Sequence, residues 1–401
     1  MTNSVRLKWL LAESDMRAGA EAEALPLLSV SISWGVRRRK ASDMTTRAAS
    51  EDLSNYKLCR AGDLVINRMR AFQGALGIAP EAGIVSPDYA VLRVESKVDK
   101  RWLNYYLTSG FIVSTMASMV RGIGGTEAGN VRTPRLNVSD LQSMTAPLAS
   151  AEEQRAIADY LDRETARIDT LIEEQQRLIE MLRERRESAI RSVLLAGLDD
   201  EAPRQSSGVA LLGDIPSHWR MVPTRYLCTI TTGSEDSGNA TDDGAYPLYV
   251  RGREVLRIDH YSFDGEAVMT PGDGQGGTGK VFHYVNGKFE AHQRVYVFKD
   301  FIGISGWYFY YFLSAFLRPV ALAGSNTVTM ESLRRPLLAD FQVAVPPLEE
   351  QHQIATYLDE QTAGVDDLIA ESERFIELAR ERRSALITAA VTGQIDLREM
   401  V

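Results

Sequence analysis

A stretch in the middle of the chain, Glu152–Asp162, returns near its far end as Glu349–Asp359, at an offset of 197 residues. The match continues without a gap through Thr165-Ala166 and Thr362-Ala363, Asp169 and Asp366, Leu171-Ile172 and Leu368-Ile369, and Arg183-Glu184-Arg185-Arg186 and Arg380-Glu381-Arg382-Arg383. From Glu152 to Ile190, 22 of 39 positions are identical. Self-similarity at a fixed offset means that one structural unit is used twice, which restricts the chain to architectures with a duplicated element.

Both copies read as long helices. In the first, Ile157, Leu161, Ile168, Leu171, Ile172, Leu178, Ile179, Leu182, Ala189, Ile190 and Val193 recur at the helical period, with charged residues between them. Leu161, Ile168, Leu182 and Ala189 keep a seven-residue register, as do Leu358, Val365, Ala379 and Leu386. That register suits a narrow seam between two helices. The residues expected to form it are Ile157, Leu161, Ile168 and Leu182 from one copy and Ile354, Leu358, Val365 and Leu386 from the other. Ser150-x-x-Glu153 has the form of a capping box, Pro346-Pro347 starts the second copy, and Gly197 and Gly393 stand where a helix would stop. A helix over 152–195 would be about 65 Å long at ~1.5 Å per residue. Two such rods around a globular insert most simply lie side by side and antiparallel, as a spacer holding two other bodies apart.

Composition allows two cores of ordinary domain size besides the rods, with 44% apolar residues in 401. Two cysteines, Cys59 and Cys228, one in each globular segment, supply no metal constellation and fit a reducing cytoplasm. Trp9-Leu10-Leu11-Ala12 is too short for a signal-peptide core, and Trp307–Leu317 is about half of a membrane span, so a soluble protein with no membrane partner is expected. The net charge of −9 divides unevenly: +5 over residues 1–146, −5 over 147–200, −2 over 201–346 and −7 over 347–401. Acidity resides mostly in the rods, which keeps DNA among the partners of a basic first globule and a nearly neutral second.

Short apolar runs separated by turn residues mark strands in the first globule, at 26–32, 63–66, 75–78 and 89–94, and 102–109 and 111–120 then read as helices. After a polar linker and Gly213-Asp214-Ile215-Pro216-Ser217-His218-Trp219, the second globule repeats this plan. Gly265–Met269 answers Gly62–Ile66, and Trp307–Ser314 answers Trp102–Ser109. The expected fold class is α+β. Two mixed α/β domains, 1–146 and 201–346, alternate with two long antiparallel coiled-coil helices, 147–200 and 347–401, in a pseudo-two-fold internal repeat. Alike spacers imply a shared packing task or partner, and domains alike only in plan imply two different targets.

The chain resembles the specificity subunits of type I restriction–modification enzymes. The resemblance lies in the repeated Pro-Leu-x-x-x-Glu-Glu-Gln / Pro-Pro-Leu-Glu-Glu-Gln-x-x-Ile-Ala-x-Tyr-Leu-Asp segments, the Gly-Asp-Ile-Pro-x-His-Trp lead-in, and Ala390-Val391-Thr392-Gly393-Gln394-Ile395-Asp396. It implies two target recognition domains, each reading half of a split double-stranded DNA site. The two helices would fix the spacing and dock two adenine-methyltransferase modification subunits. By the same resemblance the chain binds no cofactor and has no catalytic residues. Modification subunits would use S-adenosylmethionine, and restriction/translocase subunits ATP and Mg. The first globule begins at Val5-Arg6-Leu7-Lys8-Trp9 without the Ile-Pro-x-His-Trp lead-in, so it either lacks that strand or starts late.

Candidate DNA contacts follow from residue chemistry. Arg37, Arg38, Arg39 and Lys40 are a compact basic run suited to phosphates. Arg68, Arg70 and Gln73 lie between two expected strands, where Arg pairs with guanine and Gln with adenine. Arg121, Asn130, Arg132 and Arg135 flank a Gly-rich loop. In the second globule the candidates are Arg251, Arg253, Gln275, Thr278, Lys280, His292, Gln293 and Asn326, with Arg294 and Thr327 beside them. Solvated loops and ordinary turn chemistry are the competing readings. Gly274–Lys280 matches G-x-x-x-x-G-K, but Val281 stands at the Ser/Thr position and a strand-like run follows where a helix is required. Asp88 and Glu95-Ser96-Lys97 imitate a nuclease cluster without a counterpart in the second globule, and no methyltransferase tetrapeptide occurs. The alternative class is a coiled-coil scaffold whose globules bind protein.

Overall fold

The computed structural model describes residues 3–40, 52–120, 135–273, 278–323 and 332–395. The chain divides into two compact units, Met1–Gln175 with Arg374–Val401, and Gln176–Glu373. The two repeated stretches are single helices, Ala151–Ala196 and Leu348–Val391, and each runs from one unit into the other. The first helix opens on a reciprocal capping box: the Ser150 N–H donates to Glu153 Oε2 at 3.0 Å and the Glu153 N–H to Ser150 Oγ at 3.2 Å. At the equivalent position Glu350 does something else, accepting from Trp219 Nε1 at 3.1 Å and meeting His218 Nε2 at 2.8 Å. The Ile-Pro-x-His-Trp lead-in is therefore a clamp on the start of the second helix.

Within the first unit, the sheet has four antiparallel strands in the order Leu11–Ser14, Ala90–Val94, Leu64–Ile66, Leu76–Ile78. Its core gathers Leu64, Leu92, Trp102, Leu103, Tyr106 and Leu107 with Ala158 and Leu161 of the first long helix and Ile387, Ala390 and Val391 of the second. Asn3–Arg6 pairs with Thr145–Leu148. It corresponds to Arg220–Pro223 paired with Gln342–Val345 in the second unit.

The second unit has a six-stranded mixed sheet, in the order Thr229–Thr232, Val295–Lys299, Phe263–Pro271, His283–Ala291, Tyr246–Tyr249, Val255–Ile258. Its first four strands take the places of the four in the first unit. Val268, Phe298, Tyr308, Phe309, Phe312 and Leu313 pack there against Ile190 and Leu194 of one long helix and Ile354, Ala355 and Leu358 of the other.

The same helix residues dock each domain. Gln154, buried, accepts from the Asp99 N–H at 2.8 Å and donates to Ala149 O at 2.8 Å. Its repeat partner Gln351, fully buried, accepts from the Ser305 N–H at 2.7 Å and donates to Pro346 O at 2.8 Å and Gly303 O at 3.2 Å. Tyr105 Oη donates to Asp162, and Tyr311 Oη to the equivalent Asp359. Burial lifts both phenols above their ordinary range, with the adjacent carboxylates pushing the same way. These contacts correct the alignment of the globules by one residue. Tyr308, not Trp307, takes the place of Trp102: Trp102, Leu103, Tyr106 and Leu107 are buried on Lys100–Thr108 as Tyr308, Phe309, Phe312 and Leu313 are on Gly306–Ala323.

Buried residues recur along both long helices. Gln154, Leu161 and Ile168 alternate with Ala158, Thr165 and Ile179 among buried residues of the first, and Gln351 and Leu358 with Ala355, Thr362, Ser372 and Ile376 in the second. Ile157, Leu182, Val365 and Leu386 are half-buried, Ile354 is buried, and Ala189 is exposed. In the first unit Arg383 pairs with Asp169 at 2.9 Å; in the second, the repeat-equivalent Arg186 pairs with Asp366 at 2.8 Å. Each position thus plays both roles, which antiparallel pairing of equivalent helices requires. Arg383→Asp is expected to cost about 1 kcal/mol, since these half-exposed pairs are solvent-screened. Adding Asp169→Arg should restore most of that loss in denaturant unfolding, whereas zero coupling in the double-mutant cycle would reject the pair.

Candidate nucleic-acid interface

Four segments of the second unit converge beside the sheet: Glu235-Asp236, Arg251, Asp273 and His292–Arg294. The chain holds them by backbone bonds. The His292 N–H donates to Tyr249 O at 2.9 Å, the Gln293 N–H to Glu235 O at 2.9 Å, and the Gly272 N–H to Arg294 O at 2.8 Å. Gly272 fits closely here, because a Cβ would stand 2.8 Å from the Tyr296 ring, which would have to shift.

His292 is buried, and its Nδ1 accepts from the Arg294 N–H at 3.0 Å. Burial holds its pKa below the ordinary histidine range; Arg251 and Arg294 act the same way, and Asp236 and Asp273 oppose them. The neutral ring is the form that leaves Nδ1 free to accept. Glu235 is held below its usual range by hydrogen bonds from Asn239 and then His260, and Asp236 chiefly by the Gly238 N–H. Asp273 lies between two cations, 3.4 Å from an Arg294 nitrogen and 3.9 Å from one of Arg251.

Of the residues selected from sequence, Arg251, Arg253, Lys280 and Gln293 are exposed, while His292 and Thr278 are buried. Their side chains buttress the surface instead of reaching from it, because turn residues next to a sheet pack under their neighbours. Gln275 and Asn326, with Thr327, lie outside the described residues. Arg294 and Asp273 complete the group. Asp273 carries no sequence signal for a DNA contact, because base edges are read chiefly by cations and amides. The G-x-x-x-x-G-K stretch leads into the strand His283–Ala291, not a helix.

In the first unit, Arg37 stacks over the Trp34 ring at 3.9 Å, and Arg38 forms an ion pair with Glu81. Arg39 is half-buried and Lys40 exposed. Arg68 is half-buried and donates to Leu136 O at 3.2 Å, so it braces a loop, whereas Arg70 and Gln73 are exposed nearby. Arg135 pairs with Asp88 at 2.7 Å, which removes Asp88 from any nuclease-like cluster. Arg121, Asn130 and Arg132 lie outside the described residues. Among the described residues no group of acidic, His or Cys side chains suits a metal ion, and no helix is long and apolar enough to cross a membrane.

Residues 216–378 match the family model described as the type I restriction modification DNA specificity domain. Over 183 residues, 46% of this chain and 40% of its relative, the chain is 30% identical to the type I restriction enzyme EcoDI specificity subunit of Escherichia coli. It is 35% identical over 88 residues to the EcoBI specificity subunit of the same organism, covering 22% of this chain and 18% of that one. The chain thus spans less than half the length of the curated relatives it matches. Its fold matches that of a chain solved in a study of complex assembly and conformational transition of the type I R-M system, with a TM-score of 0.71, 17% identity and 98% of both chains covered.

Proposed function

We propose that this chain, whose residues 216–378 match the type I restriction modification DNA specificity domain, is a type I restriction–modification specificity subunit and reads a bipartite double-stranded DNA site. One domain reads each half. The long helices set the separation and dock two modification subunits, which bring S-adenosylmethionine; restriction/translocase subunits bring ATP and Mg. This chain selects the sequence and its partners do the chemistry.

The observation that carries the reading is the contrast between docking and display. Gln154 and Gln351, Asp162 and Asp359, and Tyr105 and Tyr311 make the same bonds under the two domains. Above them the exposed polar residues differ: Arg70 and Gln73 in one, Arg251, Arg253, Gln293 and Arg294 in the other. One mounting with two different faces suits a reader of two different half-sites, in which Arg and Gln supply base-edge contacts.

The test is co-expression with a modification subunit in a host lacking adenine methylation, followed by mapping of N6-methyladenine. A single split motif is expected, and Arg251→Ala should degrade one half of it. Assembly without any motif would sink the reading. A protein-binding scaffold would show no salt-dependent DNA binding by the assembled complex.

A further inference from the structure

We propose that Asp273 is a positioning residue for sequence reading: its carboxylate holds the guanidinium groups of Arg251 and Arg294 side by side, so that the second domain presents a fixed pair of forks to base edges. This deepens the DNA-reading proposal and rests on it.

Three features lead there. All three side chains are about half exposed, at 48%, 55% and 40% for Arg251, Arg294 and Asp273, so the group faces solvent and is available to a partner. The backbones of Asp273 and Arg294 are pinned, and the strand before Arg251 is anchored at Tyr249. Gly272 O accepts from the Leu333 N–H at 2.7 Å and Asp273 bridges to Ser332, while His292 fixes the Arg294 N–H and, through Tyr249 O, the end of the strand that leads to Arg251. Rigid backbone under a flexible arginine is what a precise contact needs, since less freedom remains to be lost on binding.

The third feature is the sign of the charge. A surface that only gripped phosphates would bind better without a carboxylate between its cations, because a negative charge repels the backbone and weakens the sequence-blind attraction. A carboxylate is useful where direction counts. It accepts from one edge of the Arg294 guanidinium and lies within ion-pair range of Arg251, leaving the remaining N–H groups of both for acceptors such as O6 and N7 of guanine. Neither cation–carboxylate distance is short enough for a tight hydrogen bond, at 3.4 and 3.9 Å, so the arginines are oriented without being consumed.

The test compares wild type, Asp273→Asn and Asp273→Ala in the assembled modification complex, with N6-methyladenine mapping and binding to an unrelated duplex at low salt. Asp273→Asn keeps the shape and removes the charge. It should raise methylation at sites altered in one half of the motif at least tenfold, leave selectivity in the other half unchanged, and bind the unrelated duplex as tightly as wild type or tighter. Arg294→Lys, which keeps charge and loses the fork, should relax the same half. Unchanged selectivity in both halves overturns the assignment, as does equal loss in both halves with a lowered melting temperature, which is the signature of a purely structural residue. A wild-type complex that methylates no split motif would instead overturn the DNA-reading proposal itself.

Discussion

Adding four residues to each long helix, after Gln175 and after Glu373, is expected to widen the gap between the two half-sites by about two base pairs while leaving both half-sites unchanged. The insertion points are where the chain passes between its two units. On either side of them the seam keeps its own ion pair, Asp169 with Arg383 on one and Arg186 with Asp366 on the other, so neither docking surface is disturbed. Four residues add ~6 Å of helix, and a base pair rises ~3.4 Å. The phase is less forgiving. Four residues rotate a helix by about 40° beyond a full turn, whereas two base pairs rotate the duplex by about 70°. The remaining mismatch should lower the methylation rate rather than alter the bases chosen. Insertion after Gln175 alone would put the two strands of the seam out of register, and is expected to reduce assembly. An unchanged gap in the matched double insertion, read from the methylated motif, would rule out the helices as the ruler.

Much of this organisation was legible in the sequence, because a duplicated helix leaves a signal that no tertiary context can hide. The expected bounds 152–195 lie within one residue of the observed Ala151–Ala196, and the Ser150–Glu153 capping box is made in both directions. The buried polar residues of the long helices were harder to read. Gln154, Thr165, Thr362 and Ser372 are buried, yet polar residues at helical spacing resemble a solvated face unless their partners are known. Thr165 satisfies its hydroxyl within its own helix, on Leu161 O at 2.6 Å, and so is buried at little cost. The one-residue slip between Trp102 and Trp307 has a similar origin. Matching by residue type aligned two tryptophans, whereas burial aligns Trp102 with Tyr308, since the docking tyrosines are 206 positions apart. The strand Asn3–Arg6 was missed because four residues with a single apolar side chain carry no period; its partner Thr145–Leu148 lies far along the chain.

Gln351→Ala is expected to destabilise the second unit by about 3 kcal/mol, the largest loss from any polar substitution in either long helix. The side chain is fully buried, and its removal leaves the Ser305 N–H without an acceptor and Pro346 O and Gly303 O without this donor. Each buried group left unpaired costs about 1–3 kcal/mol, and the vacated volume adds to the loss. Gln351→Glu should not rescue it, because a carboxylate would present oxygen to two carbonyl oxygens and bring an uncompensated charge into the core. Gln154→Ala should cost less in the first unit, since Gln154 makes two such bonds where Gln351 makes three. At ~2–4 °C per kcal/mol for a unit of this size, the Gln351 variant should melt ~6–12 °C lower. Hydrogen exchange locates the effect: protection should fall around Gly303–Phe312 and persist around Asp99–Thr108. A loss under ~1 kcal/mol, or one shared equally by both segments, would mean that the docking is held by the apolar core alone and that the repeated glutamine is incidental to it.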